Sequence, residues 1–124
     1  MILSQAVIAQ IVDDLQRQVV AFYDWLHEHN LIFAVVPSPR PQRRHAAIEA
    51  LGVERVLRLV ESFEQPVRAK LKDLGCPIID LPDTVDGDGL LREEYWGLDA
   101  SHGNVAYGNL VLEQLDRLRL RITA

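Results

Sequence analysis

Two short apolar runs, separated by a long stretch with helical periodicity, constrain most strongly what this chain can fold into. The first run is residues 31–36, Leu-Ile-Phe-Ala-Val-Val, and the second is residues 77–81, Pro-Ile-Ile-Asp-Leu. A run without polar alternation is typical of a strand buried on both faces of a parallel sheet. The helical stretch between the runs supplies the crossover that parallel strands require. The sequence therefore predicts an α/β fold, a flavodoxin-like three-layer α/β/α sandwich, of which this chain holds about two strands.

The first helix is predicted over residues 3–29, where apolar side chains recur at steps of three and four. Ser4 is a suitable N-cap, because its hydroxyl can accept a backbone N–H of the first turn. Asn30 is a suitable stop, because asparagine tolerates the left-handed conformation.

Further helices are predicted after the first apolar run. They cover residues 46–51, a segment that starts at Val53, and about residues 105–120 at the end of the chain. Pro66 predicts a break or kink in the second of these, because proline lacks a backbone N–H. Residues 82–97 read as a loop, so the order is helix, strand, helices, strand, loop, helix.

Composition narrows the class of protein. The chain has 124 residues, which suits one domain or part of one, and its net charge of −5 argues against general nucleic-acid binding. The single Cys76 excludes an internal disulfide, and no apolar run is long enough to predict a membrane span. Without a secretion signal, a cytoplasmic location is expected. The basic residues near the proline-rich loop are interpreted as solvated surface: Arg40, Arg43, Arg44 and His45.

The candidate site is an aspartate three residues before a histidine, Asp99 and His102, in a glycine-bearing loop ahead of the last helix. A carboxylate so placed can accept the Nδ1 proton of the imidazole and leave Nε2 free to accept another proton. In parallel α/β sheets, sites lie beyond the carboxyl ends of the strands. The loops after both predicted strands, including Ser38 and Arg40, should therefore share one edge.

These residues together resemble the C-terminal half of an SGNH (GDSL-type) serine hydrolase. The last conserved block of that family is D-x-x-H followed by a turn and a helix, as in Asp99, His102 and residues 103–108 here. The strand ending in Pro37-Ser38-Pro39 and the helix-Gly-strand over residues 71–81 are also similar to family elements. The resemblance covers about residues 31–115 in order and spacing.

The resemblance implies a site for a small ester or acylated substrate, without metal or cofactor. His102 would be the general base and Asp99 its orienting partner, for a serine that attacks the acyl carbonyl. Ser38 corresponds to a family residue that lines the pocket. Arg40 is a candidate contact for an anionic substrate group, and Trp96 a candidate wall of the pocket.

The family's G-D-S nucleophile motif is missing from the sequence, and so are identifiable oxyanion donors. Residues 1–124 are therefore interpreted as one partial hydrolase domain that lacks the nucleophile-bearing half and is inactive alone. Two strands leave unpaired edges, so we expect association with that half or with a second copy. The alternatives are a non-catalytic α/β interaction module that completes its sheet by homodimerisation, and a metal-assisted hydrolase that uses Asp99, His102 and the acidic loop 83–88.

Overall fold

The computed structural model describes residues 4–123, with side chains over residues 4–119. Over this range the chain forms the helices α1 (Gln5–Glu28), α2 (Ala46–Leu51), α3 (Val53–Asp73) and α4 (Val105–Thr123). Two 3-10 turns, Pro82–Thr84 and Glu93–Tyr95, lie in the long connection between α3 and α4. The predicted helices are thus present close to their predicted positions.

The predicted three-layer sandwich is wrong, because residues 4–123 contain no sheet. The two apolar runs meet at one isolated parallel bridge, between Val35 and Ile78. The N–H of Val35 donates to the carbonyl of Pro77 at 3.0 Å. The parallel sense of the pairing agrees with the prediction, but a single bridge is not a strand of a sheet.

The lack of further strand partners explains why the pairing stops at one bridge. A parallel strand buried on both faces needs neighbours at both edges and covering layers, and within residues 4–123 the two runs pair only with each other. Pro37 and Pro77 lack the N–H groups that would extend the ladder. Ile32, expected inside a sheet, is 78% exposed. Apolar sequence alone therefore did not produce a sheet.

The predicted signals at the two ends of α1 are confirmed. The Ser4 hydroxyl accepts the backbone N–H of Val7 at 3.2 Å, as an N-cap does. Asn30 lies just beyond the helix with φ of 56°, in the left-handed region. Both ends of this helix are therefore fixed by local sequence.

We expect Ser4→Ala to lower the free energy of unfolding by about 1 kcal/mol, because an orphan N–H at the start of α1 loses its acceptor. Ser4→Asp should retain most of the stability, since a carboxylate also accepts at this position. Urea unfolding followed by circular dichroism measures both variants. Equal stability of Ser4→Ala and the wild-type chain would contradict the capping role.

Pro66 does not break α3, which runs without interruption from Val53 to Asp73. Proline's fixed φ is compatible with a helix, and its cost arises from the missing N–H and the clash with the preceding turn. In the turn before Pro66, the Ser62 hydroxyl donates a hydrogen bond to the carbonyl of Arg58 at 2.9 Å. The predicted interruption of the helix is therefore wrong.

The chain divides into two compact units. The first contains residues 4–35 and 58–78. Its buried apolar side chains are Ile8, Val12 and Leu71. Lys70 Nζ lies 3.0 Å from Asp24 Oδ1, and the rings of Tyr23 and Phe33 stack with centroids 5.7 Å apart.

The second unit contains residues 36–57 and 79–123 and carries the candidate site. Its buried apolar side chains are Ile48, Val56, Ile79, Leu90 and Leu91. The start of α4 packs against the Glu93–Tyr95 turn, where Tyr95 and Tyr107 make an edge-to-face contact at 6.4 Å. Across the described residues, none of the helices has an apolar stretch of the length that a membrane crossing requires.

Candidate functional site

Asp99 and His102 form a hydrogen-bonded pair in the loop before α4. Asp99 Oδ2 lies 2.6 Å from His102 Nδ1. The other carboxylate oxygen, Oδ1, accepts the backbone N–H groups of Ser101 and His102, each at 2.8 Å. The carboxylate therefore binds both the His102 ring and the backbone that carries it, and these bonds together fix the orientation of the ring.

The charge on Asp99 determines where the imidazole proton lies. The N–H of Ser101 and the His102 ring, in that order of importance, hold the pKa of the Asp99 carboxyl below its ordinary value of 3.8. An ionised carboxylate can only accept hydrogen bonds, so Nδ1 of the neutral ring donates. Nε2 then carries a lone pair. Because the side chains of His102 and Asp99 are 78% and 60% exposed, that lone pair is open to a reacting group.

We expect the Asp99 carboxylate to stabilise the folded chain at neutral pH and to lose this effect in acid. The pKa is lower in the folded chain than in the unfolded chain, so folding favours the ionised form. The contribution is complete above the unfolded pKa and disappears as the pH falls through the folded pKa. Titration of the Asp99 carboxyl carbon by NMR checks this, and a pKa of 3.8 or higher would contradict it.

The loop closes on itself through main-chain contacts around Gly97. Trp96 and Gly103 form an antiparallel bridge, and the Gly97 N–H donates to the carbonyl of His102 at 2.8 Å. A Cβ on Gly97 would lie 2.5 Å from that carbonyl oxygen and 3.1 Å from the carbonyl oxygen of Gly103. Only glycine permits this approach, so its position in the motif has a steric reason.

Asn104 joins the loop to α4. Its backbone N–H donates to the carbonyl of Tyr95 at 3.0 Å, and its side-chain amide donates to the carbonyl of Glu94 at 2.8 Å. Its Oδ1 accepts the N–H of Tyr107 at 3.1 Å, in the first turn of α4. The histidine is thus held three residues before Val105, the first residue of α4.

Gln42 and Arg44, which the sequence interpretation did not assign to the site, bind the carbonyls of this loop. Gln42 Nε2 donates to the carbonyls of Asp99 and His102, at 2.9 and 3.1 Å. Arg44 Nη2 donates to the carbonyls of Gly97 and Asp99, at 2.7 and 2.9 Å. The interpretation of Arg44 as merely solvated surface is therefore wrong. No local pattern around Pro41 marks either residue, because the partners lie far along the chain.

The three predicted substrate-binding residues all lie in the second unit. Ser38 is exposed and Arg40 half-buried, both in the proline-rich loop ahead of Gln42. Trp96 packs within the unit, since its indole N–H donates to the carbonyl of Leu91 at 2.9 Å and the Arg44 guanidinium lies 4.9 Å from its ring centroid. Contact between these residues and a substrate stays a prediction.

The acidic loop is organised by its own turn and by Arg43. Asp86 Oδ1 accepts the backbone N–H groups of Asp88 and Leu90, at 2.8 and 3.1 Å. Arg43 Nη2 lies 2.7 Å from Asp88 Oδ2 and 3.5 Å from Asp86 Oδ2. Within the part of the chain that the structure describes, no three His, Cys, Asp or Glu residues are grouped so as to hold a metal ion.

Searches with the chain matched no family model, no curated protein and no solved structure. The resemblance of the Asp99–His102 loop to the SGNH hydrolases therefore stays a prediction.

Proposed function

We propose that this chain supplies the histidine and aspartate of a Ser-His-Asp acyl hydrolase of the SGNH type. The substrate is a small ester or acylated molecule, and the attacking serine belongs to polypeptide outside residues 1–124. The observation that carries the proposal is the 2.6 Å contact between Asp99 Oδ2 and Nδ1 of an imidazole that is otherwise exposed.

The arrangement fits general-base catalysis. Nε2 of His102 accepts the hydroxyl proton of the serine as its oxygen attacks the acyl carbonyl. The resulting imidazolium, stabilised by the Asp99 carboxylate, gives that proton to the departing alkoxide, and an acyl-enzyme is left. Water then attacks the acyl-enzyme by the same proton route, and the carboxylic acid and the free serine result.

The surface around the dyad supports a role for a second segment. Leu98, directly before Asp99, has a fully exposed side chain, and Val105, three residues after His102, is 79% exposed. Apolar side chains that flank a polar site are suited to contact with an acyl chain or with the segment that carries the serine. The exposed Nε2 leaves room for that serine hydroxyl.

The proposal is tested by ester turnover. The protein encoded by the whole reading frame and residues 1–124 alone are assayed with short-chain p-nitrophenyl esters. We expect the protein from the whole reading frame to turn over the esters and its His102→Ala variant to lose that turnover. Residues 1–124 alone should hydrolyse the esters no faster than free imidazole does. His45→Ala is the matched control, because it removes another histidine of the same unit. His45 Nδ1 serves as the N-cap of α2, so this variant should keep the ester turnover.

Two outcomes would overturn the proposed class of protein, and a third would overturn only the location of the serine. Absence of turnover from the folded whole protein would remove the hydrolase class. Turnover that survives His102→Ala would show that another group is the base. Turnover by residues 1–124 alone, abolished in His102→Ala, would keep the class but contradict the location of the serine.

A second candidate function is self-association, favoured by apolar side chains that α1 leaves exposed. Leu15 is 67%, Val19 39% and Phe22 54% exposed, and their spacing of four and three places them on one stripe. Sedimentation equilibrium tests this candidate. We expect a dimer that Leu15→Ser with Phe22→Ser converts to a monomer, and a wild-type monomer at high concentration would contradict it.

A further inference from the structure

Gln42 binds both ends of the turn that carries the dyad. Its side chain is fully buried, and one nitrogen, Nε2, donates to the carbonyls of Asp99 and His102. Because one atom binds both carbonyls, the two ends of the turn are held at a fixed separation. The geometry between carboxylate and ring depends on that separation, since each side chain projects from one end of the turn.

The orientation of the Gln42 amide follows from its partners. The two carbonyl oxygens require donors, and the remaining neighbour, Arg44 Nε, donates to Oε1 at 2.5 Å. A rotated amide would place its oxygen against two carbonyl oxygens and its nitrogen against a guanidinium donor. All the bonding capacity of the amide nitrogen is therefore directed at the turn.

Arg44 fixes Gln42 and the same turn from a second direction. Besides its bond to Oε1, its guanidinium donates to the carbonyls of Gly97 and Asp99. The guanidinium carbon lies over the Trp96 ring, 4.9 Å from the ring centroid. A planar group with donors in a fixed fork can make these contacts together, and an ammonium group cannot.

We infer that Gln42 and Arg44 are positioning residues for His102, which hold the 99–102 turn so that Asp99 keeps the ring in its Nδ1–H tautomer. The catalytic meaning of this inference rests on the proposed function, but the tautomer itself does not. In an active hydrolase the two residues would affect kcat more than KM, because they act on the base and not on the substrate.

The tautomer is measured with protein labelled with ¹⁵N-histidine, at about pH 8.5, which is about two pH units above the pKa of imidazole in model peptides. Long-range ¹⁵N–¹H spectra distinguish the two tautomers, and His102→Ala assigns the signals. His45 is an internal reference of the opposite tautomer, because its Nδ1 accepts the N–H of Ala47 at 3.1 Å. Its signals report on the fold of the segment that contains Gln42 and Arg44.

The main variant is Gln42→Leu, which keeps most of the volume and removes the donors. Its two carbonyl partners each retain one bond, from Arg44 to Asp99 and from Gly97 to His102. The loop can therefore remain folded. We expect His102 to change from the Nδ1–H form to a mixture of tautomers, with His45 unchanged. Arg43→Gln is the matched control, since Arg43 pairs with the acidic loop, and should leave both histidines as in the wild-type chain.

An unchanged His102 tautomer in Gln42→Leu would overturn the inference. If His45 also changes in that variant, Arg44→Lys decides, because it keeps a cation but loses the bond to Gln42 Oε1. A shift of His102 alone in Arg44→Lys supports the inference. If the His102 tautomer is unchanged in Arg44→Lys, or if the His45 signals change in both variants, Gln42 and Arg44 serve folding and do not position the ring.

Activity provides a separate measurement. If the whole protein turns over esters, we expect Gln42→Leu to lower kcat roughly 10- to 100-fold with KM little changed. A rise in KM as large as the fall in kcat would contradict a positioning role. Failure of the proposed function would appear as absence of turnover in the wild-type protein, and the tautomer experiment would still decide the role of Gln42.

Discussion

If the proposed function is right, we expect Asp99→Asn to lower the kcat for ester turnover by about 10⁴-fold, the size of effect seen when a triad imidazole is held in the wrong tautomer. The structure dictates how the new amide would lie. Oδ1 accepts the N–H groups of Ser101 and His102, so the amide oxygen must keep that place. The NH₂ group then faces His102 Nδ1 and donates to it. The ring proton moves to Nε2, which can no longer accept the proton of a serine.

Asp88→Asn is the matched control, because Asp88 is an exposed aspartate of the same unit whose partner is Arg43. Steady-state kinetics on a p-nitrophenyl ester should give wild-type kcat for this control and the large loss for Asp99→Asn. Circular dichroism should show that both variants fold. A loss of less than tenfold in Asp99→Asn would contradict the role of Asp99 in fixing the tautomer.

Gly97→Ala should have the largest effect on stability among single changes in the loop, a loss of about 3 kcal/mol in the free energy of unfolding. The new Cβ would lie 2.5 Å from the carbonyl oxygen of His102. That neighbour is backbone and takes part in the bond from the Gly97 N–H, so it cannot move away as a flexible side chain would. The closure that brings the two sides of the loop together would open.

Gly87→Ala is the control for the general cost of replacing a loop glycine. A Cβ at Gly87 would meet no atom of the described residues within 4 Å, so its effect should stay within about 0.5 kcal/mol. Urea unfolding of both variants gives the comparison. Equal stabilities would show that the close approach at Gly97 does not restrain the loop.

The helices could be predicted from sequence because their signals are local. The apolar spacing in residues 3–29, the Ser4 cap and the left-handed Asn30 all act within one or two turns of α1. Pro66 was the exception, because α3 continues through a residue that disfavours but does not forbid a helix. The sheet could not be predicted reliably, since an apolar run such as residues 31–36 becomes a strand only when other strands pair with it.

The candidate site also contains a part that local sequence predicts and a part that depends on tertiary structure. Asp99 and His102 are three residues apart, so a short motif is enough to indicate their contact. Gln42 and Arg44 reach the same turn only through tertiary structure, and a buried glutamine has no sequence signature of its own. Their contribution depends on hydrogen bonds to carbonyl oxygens more than 50 residues further along the chain.

The most direct test of the central claim is to map the site of a fluorophosphonate adduct by mass spectrometry in the protein encoded by the whole reading frame. We expect one modified serine, outside residues 1–124, and loss of the modification in His102→Ala. Absence of an adduct on the folded protein, or an adduct that persists in His102→Ala, would contradict the assignment of Asp99 and His102 to a serine hydrolase.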